Sequence, residues 1–460
     1  MTLKRRLIQS YGATILGPFV TIFVQLINVP VMLHYWGAHL YGEWLLISTI
    51  PAYLILTDLG FGSAAGSDMT LRVHAGDREG AIETFQSISA LMVFVSFLIG
   101  LLLSAVIFLL PVHRLLHFSS MSPKETQTAL LLLSLNSLII LQWGSIIAAY
   151  RCDGKYALGM LSVNVIRILE GISFLVLLVW HAGPVQLSML MLGISIVGTS
   201  WLLLLKIRLI PWLPIGVRHA KWQCIRELWK PAIAFLAFPT GSAISLQGMT
   251  MMVGLVLGPL AVAVFNPMRT LSRPAFQLTD AVKNTVWQEL SAAMGHRNWD
   301  LARKLHRTAC QVSLFLSLLV SIALAISGPR LFALWTHNRI VMNVPTFYIL
   351  LTVVLVNSLW NASSAVPMAA NKHQRLAVVY LISTSVSLSL GYPLILQFGL
   401  GGAGVALLLC EIGMSIYVVH MSNRLLSDRW SQFATSMIDT TQFNTLRVTL
   451  MRLLVRRPGS

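Results

Sequence analysis

The sequence predicts an all-α polytopic membrane protein, with about 12 transmembrane helices in two parallel six-helix repeats around a central cavity. Only 11% of the 460 residues are charged, whereas soluble domains carry roughly 25%. Apolar runs near 89–111, 129–149, 308–327 and 376–397 match the roughly 20 residues that a membrane-crossing helix needs. The short alternating segments typical of barrel strands are absent, so the spans are expected to be helices.

Apolar segments that could cross the membrane follow one another along most of the chain. Twelve are predicted, near 11–33, 42–64, 85–111, 128–149, 158–180, 185–205, 231–252, 259–289, 308–328, 345–369, 376–397 and 402–423. The eighth is longer than a perpendicular helix requires, which indicates tilt or an extension beyond the membrane. Its Pro267 and Pro274 each remove a backbone N–H and predict a kink.

Basic residues are distributed unevenly between the two sets of loops. The termini and the loops that follow even-numbered spans hold 25 of the 33 lysines and arginines, whereas the opposite loops hold four. Lysine and arginine concentrate in cytoplasmic loops. The sequence therefore predicts a multi-pass protein of the bacterial inner membrane with both termini in the cytoplasm, and this distribution also explains the net charge of +17 without nucleic acid as a partner.

Four regions follow from the span positions. We predict an N-terminal six-helix lobe over 1–205, a basic interfacial connector over 206–230, a C-terminal six-helix lobe over 231–423 and a basic cytoplasmic tail over 424–460. The connector and the tail alternate basic residues with tryptophan or leucine, a pattern typical of segments that lie along a membrane surface.

The two halves repeat at an offset of 221 residues. The offset pairs Gly37 with Gly258, Ala81 with Ala302, and Ala182-Gly183 with Ala403-Gly404. Both halves hold six spans and begin on the same side, so the repeat is parallel and its axis runs along the membrane normal. Two equivalent lobes of this kind predict a central cavity and alternating access.

The eighth span carries Arg269, Arg273, Asp280 and Lys283. At 100° per residue these four lie within an arc of about 80° on a continuous helix. Each charge costs about 2.5–3.5 kcal/mol at the bilayer centre, so this face is expected to meet protein or water. Arginine has a planar fork that fits phosphate oxygens. Binding of an anion, a structural ion-pair network and contact with the headgroups are the readings that the residues leave open.

Other spans contain isolated polar residues. Arg167 and Glu170 lie three residues apart in the fifth span, where they could line the cavity or neutralise one another. Glu411 is alone in the twelfth span, where a buried carboxyl group could carry a proton or could accept a hydrogen bond from a neighbouring hydroxyl group. Glu411, Asp280 and Glu170 are therefore candidates for coupling to an ion.

Amide side chains form two further polar faces. Gln25 and Asn28 share a face of the first span, and Asn357 and Asn361 are one turn apart in the tenth. Such residues either join helices by hydrogen bonds or form the wall of a hydrated cavity that accepts sugars. The predicted substrate-binding set is therefore Arg269, Arg273, Lys283, Arg167, Gln25, Asn28, Asn357 and Asn361.

Three motifs resemble those of a known family. Tyr-Trp-Gly-Ala-His-Leu-Tyr-Gly-Glu-Trp at 35–44, Asp-Leu-Gly-Phe-Gly-Ser-Ala at 58–64 and Gly-Asp-Arg-Glu-Gly-Ala at 76–81 resemble the first two spans and first inner loop of the polysaccharide biosynthesis proteins. These are the O-antigen and capsule repeat-unit flippases of the multidrug/oligosaccharidyl-lipid/polysaccharide exporter superfamily. The resemblance covers roughly residues 8–425.

The resemblance implies a substrate and a mechanism. Its members carry an undecaprenyl-diphosphate-linked oligosaccharide across the inner membrane while the lipid tail stays in the bilayer, so lipid-linked oligosaccharide and membrane lipid are the expected partners, with a proton or sodium ion for coupling. Arg269 resembles an arginine of the related lipid II flippases that receives the diphosphate. The chain departs from those flippases in its first span, which has no arginine after Arg6.

Two other functions remain open. A cation-coupled multidrug exporter of the same superfamily usually has carboxylates in span 1 or 7, and neither span has one. A membrane-embedded glycan polymerase or ligase would have a long outer loop, and no outer loop exceeds about 17 residues. No metalloprotease, nucleophile-elbow or Walker motif occurs, and the four cysteines fit no metal-site template. We expect no enzymatic activity, no catalytic residues, no cofactor and no metal.

Overall fold

The computed structural model describes residues 3–438, with the side chains of 24–438 except Ile55, Pro231, Ala234 and Phe235. The described chain is helical almost throughout. The first nine helices are α1 (Leu3–Leu54), α2 (Phe61–His74), α3 (Arg78–Leu109), α4 (Val112–Leu115), α5 (Pro123–Leu141), α6 (Trp143–Cys152), α7 (Tyr156–Val179), α8 (Pro184–Leu209) and α9 (Trp222–Ala243). A 3₁₀ turn, Ile55–Asp58, joins α1 to α2.

The second series of helices begins after a π-helical turn at Ile244–Gly248. It comprises α10 (Met249–Leu257), α11 (Pro259–Ser272), α12 (Pro274–Gly295), α13 (Trp299–Trp335), α14 (Val344–Ser363), α15 (Ala365–Ala369), α16 (His373–Phe398), α17 (Leu400–Leu426) and α18 (Trp430–Ile438). The all-α polytopic fold class is confirmed. The end of the predicted cytoplasmic tail, 439–460, lies outside the described residues.

Ten helical segments among the described residues are long and apolar enough to cross a membrane. The first of them, Val24–His74, contains a break at Gly37 and therefore covers two predicted spans. The predicted eighth span is not among the ten: it is divided at Arg273 into α11 and α12, and its charged and polar residues make it less apolar than the other spans. The ten segments therefore account for eleven of the twelve predicted spans.

The structure separates into two compact units. One comprises the chain up to Thr270 together with Arg330–Asn343 and Thr384–Ala403. Its core lies where α2, α3, α6 and α8 meet, around residues such as Phe61, Tyr150 and Leu202. The other comprises Leu271–Pro329, Val344–Ser383 and the chain from Gly404. The division into two six-helix lobes and a connector stays a prediction.

The internal repeat is visible in the backbone of two turns. Gly76 and Arg297, 221 positions apart, both have positive φ angles, of 84° and 56°. In each turn the following residue caps the next helix. Asp77 Oδ1 accepts a hydrogen bond from the N–H of Gly80, and Asn298 Oδ1 accepts one from the N–H of Leu301. Five backbone hydrogen bonds of the first turn recur in the second at the same offset. The two turns share a helix end and a helix start although few of their residues are identical.

The two glycines of the repeat adopt the same unusual conformation. Gly37 has φ 73° and ψ 175°, and Gly258 has φ 85° and ψ 174°. This region of the backbone map is essentially restricted to glycine. Gly37 interrupts α1, and Gly258 separates α10 from α11, so one local geometry turns the chain in both halves.

The offset does not stay at 221 along the chain. The turn at Lys155, whose N–H donates to the carbonyl of Tyr150, recurs at Lys372, whose N–H donates to the carbonyl of Pro367. That offset is 217, because the second half has fewer residues between its spans. The identities at 182–183 and 403–404 are therefore not structural equivalents, since α8 begins at Pro184 and α17 at Leu400.

The segment between α8 and α9, 210–221, is attached to α3 by side-chain hydrogen bonds. Gln86 accepts a bond from the N–H of His219 and donates one to another carbonyl of the segment. Ser87 Oγ accepts the N–H of Lys221 at 2.8 Å. The Lys221 ammonium group also pairs with a carboxylate of α3, and this hydrogen bond raises the pKa of Lys221.

Lys206 and Asp153 make further contacts with the same segment. The buried ammonium group of Lys206, at the end of α8, donates to the carbonyl of Leu213 and lies 4.4 Å from the ring centre of Phe85. Trp212 donates its indole N–H to Asp153 at 2.8 Å. The residues of the predicted connector, 206–230, are thus partly helical and partly a loop that is held by side-chain hydrogen bonds.

Candidate functional site

Arg269 lies on α11 and contacts the π turn of the preceding span. Its Nη1 donates to the carbonyl of Leu246 at 3.1 Å, and its Nη2 donates to the carbonyl of Ser245 at 3.2 Å. A π turn changes the hydrogen-bonding register of a helix and often marks a functional site. The guanidinium group also lies 5.4 Å from the ring centre of Phe265. These three groups are neutral.

Arg273 lies at the break between α11 and α12, where it forms the N-cap of α12. Its side chain is half-buried. Among the residues that the structure describes, no carboxylate, carbonyl or hydroxyl group pairs with its guanidinium group. Pro274 follows directly and fixes the start of α12. Arg273 therefore keeps its five N–H donors available to another molecule.

Lys283, Asp280 and Asn361 form a compact polar network between α12 and α14. Lys283 Nζ donates to Asp280 Oδ1 at 2.6 Å and to Asn361 Oδ1 at 2.9 Å. The Nδ2 of Asn361 donates to Asp280 Oδ1 at 2.9 Å and to the hydroxyl group of Thr279 at 3.2 Å. The positive and negative charges of this network are matched, which agrees with the ion-pair reading of these residues.

Glu411 and Asn357 meet between α17 and α14. The Nδ2 of Asn357 donates to Glu411 Oε2 at 2.9 Å, and the indole N–H of Trp360 donates to the same oxygen at 2.5 Å. All three side chains are buried. Glu411 is therefore not isolated as the sequence suggests, although its partners are neutral donors rather than cations.

Arg167 is exposed on a helix face that is otherwise buried. Val163, Gly171 and Phe174, at spacings of four and seven residues from Arg167, share its face of α7 and are buried. The opposite face carries exposed apolar residues, among them Val165 and Ile172, as a lipid-facing surface does. An exposed arginine on the inner face is accessible to water or to a ligand rather than to lipid tails.

Glu170, Gln25 and Asn28 are each half-buried. Glu170 makes no ion pair with Arg167 within the described part of the chain. The Oδ1 of Asn28 is buried and accepts no hydrogen bond from any described residue. The structure thus brings together Asp280, Lys283 and Asn361, and separately Glu411 and Asn357.

The prediction of one continuous charged face assumed that the eighth span is an unbroken helix. The break at Arg273 removes that assumption, because helical angles cannot be extended from α11 to α12. Sequence analysis also missed Trp360, Thr250 and Asn266. Thr250 donates to Asn266 Oδ1 at 2.9 Å and so joins the π-turn region to α11. No sequence signal indicated the π turn itself.

Comparisons with known proteins identify the fold. No family model and no curated protein sequence matches the chain. Among solved structures, an inward-facing multidrug resistance MATE family transporter of the MOP superfamily has a TM-score of 0.71 and 15% identity, over 88% of this chain and 94% of that one. The lipid II flippase MurJ in an inward closed conformation has a TM-score of 0.71 and 12% identity, over 97% of this chain and 93% of that one.

A third structure extends the same likeness. A MOP superfamily transporter from Pyrococcus furiosus Vc1 has a TM-score of 0.61 and 13% identity, over 92% of this chain and 96% of that one. The chain has the MATE and MurJ fold. It is a multi-pass membrane protein, and the structures that share its fold are transporters and a flippase rather than enzymes.

Proposed function

We propose that this chain is a flippase that moves an undecaprenyl-diphosphate-linked oligosaccharide across the bacterial inner membrane by alternating access. The observation that carries the proposal is Arg273, a half-buried guanidinium group at a helix break without a partner among the described residues. Arginine forms bidentate, charge-assisted hydrogen bonds with phosphate oxygens. A diphosphate would supply acceptors for the N–H donors of Arg273.

Two other arginines support an anionic substrate. Arg167 is accessible on the inner face of α7, and Arg269 is held by neutral carbonyls. Each of these two residues is therefore a further candidate for contact with an anion. The polar side chains of Gln25 and Asn28 would contact the sugar portion.

The same fold also supports a second candidate, a cation-coupled multidrug exporter. It is favoured by the MATE family transporter, whose TM-score equals that of the lipid II flippase. The fold therefore does not separate the two functions, and the charge of the binding residues has to do so. Cytoplasmic termini, the inner membrane and the two six-helix lobes belong to the proposal as well. A glycan polymerase or ligase gains no support from structures with this fold.

Replacement of Arg273 tests the proposal directly. We expect the purified wild-type protein to bind undecaprenyl diphosphate, and Arg273→Ala to weaken this binding about 10- to 100-fold, because a hydrogen bond to a charged group contributes about 1.5–3 kcal/mol. Arg273→Lys should recover only part of the affinity, since lysine lacks the planar fork. Binding can be measured by native mass spectrometry or by thermophoresis in detergent.

The matched control is Arg114→Ala, because Arg114 is exposed in the segment that follows α3. This variant should bind undecaprenyl diphosphate like the wild type. Unchanged binding by Arg273→Ala would contradict the role of Arg273. Binding of ethidium that becomes tighter in Arg273→Ala, with no binding of undecaprenyl diphosphate by the wild type, would favour the exporter instead.

Arg269→Ala is expected to have two effects, because it removes a phosphate donor and also releases the carbonyls of Ser245 and Leu246. It should therefore lower both the affinity for undecaprenyl diphosphate and the thermal stability of the protein. Arg273→Ala should lower only the affinity, since that side chain has no partner to lose among the described residues. A thermal melt of both variants without ligand checks this difference.

A further inference from the structure

Glu411 and Asn357 leave two oxygen atoms without hydrogen-bond partners. Both donors that reach Glu411 go to Oε2, so Oε1 accepts no bond from the described residues. The Oδ1 of Asn357 is buried and also has no partner among them. Glu411 is 8% exposed and Asn357 is 7% exposed. A buried acceptor without a partner, beside a carboxylate oxygen without one, is costly unless a positive group or a proton lies between them.

A proton on Oε1 of Glu411 would satisfy both acceptors at once. The amide N–H of Asn357 already donates to Oε2 at 2.9 Å. A protonated Oε1 could donate in return to Asn357 Oδ1, which closes a ring of two hydrogen bonds between a carboxylic acid and an amide. Protonation also removes the charge of Glu411, which has no lysine, arginine or histidine within ion-pairing distance among the described residues.

We propose that Glu411 and Asn357 form a binding site for a single proton, with Trp360 holding Oε2 in place. Proton binding itself is independent of any substrate. Its use as the coupling step rests on the flippase function proposed above. In this proposal Asn357 does not contact the sugar; its Oδ1 accepts the hydrogen bond from the protonated carboxyl group of Glu411.

The donor set fits a proton better than a metal ion. Hard cations such as calcium and magnesium take about six or more oxygen ligands. The described residues offer two unpartnered oxygens here, from one carboxyl group and one amide. A proton needs only these two.

Few titratable groups face Glu411 from the elements around it. On α17 its neighbour is the buried thiol of Cys410. From α16, Tyr380 packs on Trp360 with ring centres 5.6 Å apart. From α14, Asn361 lies one turn beyond Asn357 and binds the Asp280–Lys283 pair. The same helix α14 therefore carries the amide partner of the proton site and the amide partner of the ion pair.

Infrared spectroscopy of the purified protein tests this site without any transported substrate. The C=O stretch of a protonated carboxyl group is separate from that of a carboxylate. We expect the wild type at neutral pH to show such a band and Glu411→Gln to lose it. Glu411→Gln should remain folded, because a glutamine amide can form both hydrogen bonds of the ring with Asn357.

Two variants examine the partners of the proton. Asn357→Leu should shift the band to higher frequency, because the carbonyl oxygen Oε2 then accepts one hydrogen bond instead of two. Trp360→Phe should produce a shift in the same direction while the band persists. Glu289→Gln, which changes an exposed carboxylate, is the matched control and should leave the band unchanged.

Several outcomes would overturn the proton site. A wild-type spectrum without the band, or a band that survives in Glu411→Gln, would exclude Glu411 as the proton carrier. Loss of the band when sodium replaces choline at constant pH would show that the oxygens bind a metal ion instead. Failure of the flippase proposal is detected separately, since it appears as absent binding of undecaprenyl diphosphate with the infrared band intact.

Discussion

Replacing Glu43 by alanine is expected to destabilise the protein by about 3–5 kcal/mol, the range for removing one partner of a buried charged contact. Glu43 is 0% exposed. Its carboxylate accepts the backbone N–H groups of Ser119, Ser120 and Met121 at 2.6–2.8 Å. Alanine would leave three backbone donors without an acceptor inside the protein, each of which costs about 1–3 kcal/mol.

The amide variant should be intermediate. In Glu43→Gln one oxygen can still accept the N–H groups of Ser119 and Ser120, but the NH₂ group would face the N–H of Met121. Unfolding by sodium dodecyl sulfate in mixed micelles measures the series. Glu125→Gln is the control, because Glu125 accepts the N–H of Ser122 in a more exposed place. Equal stability of wild type and Glu43→Ala would contradict this role for the carboxylate.

The second large effect is expected for Gly42→Ala. A β-carbon at Gly42 would lie 2.0 Å from the carbonyl oxygen of Pro259 and 3.2 Å from its Cα. Backbone atoms cannot move aside as the end of a side chain can, so α1 and the start of α11 would have to separate. Overpacking of this kind costs about 1–3 kcal/mol and occasionally more. We expect a lower melting temperature and less folded protein in the membrane.

Gly413→Ala is the matched control for this change. Gly413 is in α17, and a β-carbon there meets no atom within 4 Å. Alanine also favours a helix over glycine by about 1 kcal/mol. Gly413→Ala should therefore be as stable as the wild type or more stable. If Gly42→Ala behaves in the same way, α1 and the Gly258–Pro259 turn are not in close contact.

The sequence predicts the helices well because each span is long and its ends are marked by local signals. Asp77 and Asn298, which cap helices, and Gly37 and Gly258, which turn the chain, all act on their own neighbours. The sequence also indicated a kink in the eighth span from its prolines. The sequence could not locate the break at Arg273. A proline shows where a helix is less stable, but the packing of the helix decides where it ends.

Contacts between distant residues were beyond sequence analysis. Trp360 reaches Glu411 across 51 positions, and Glu43 reaches Ser119 across 76. Neither pair has a spacing that a single helix would bring together. The amides of the tenth span and the carboxyl group of the twelfth could be identified as unusual, but their partners depend on how α14 packs. Polar residues inside the spans can therefore be identified from the sequence, whereas the interactions that hold them cannot.

The fastening of the 210–221 segment has a consequence for how movement passes along the chain. Gln86 and Ser87 of α3 bind this segment directly before α9 begins at Trp222. A loop without such hydrogen bonds could change conformation when one helix moves, and the next helix would stay in place. Here the hydrogen bonds connect α3 to the residues directly before α9. We therefore expect a displacement of α3 to be transmitted to the start of α9.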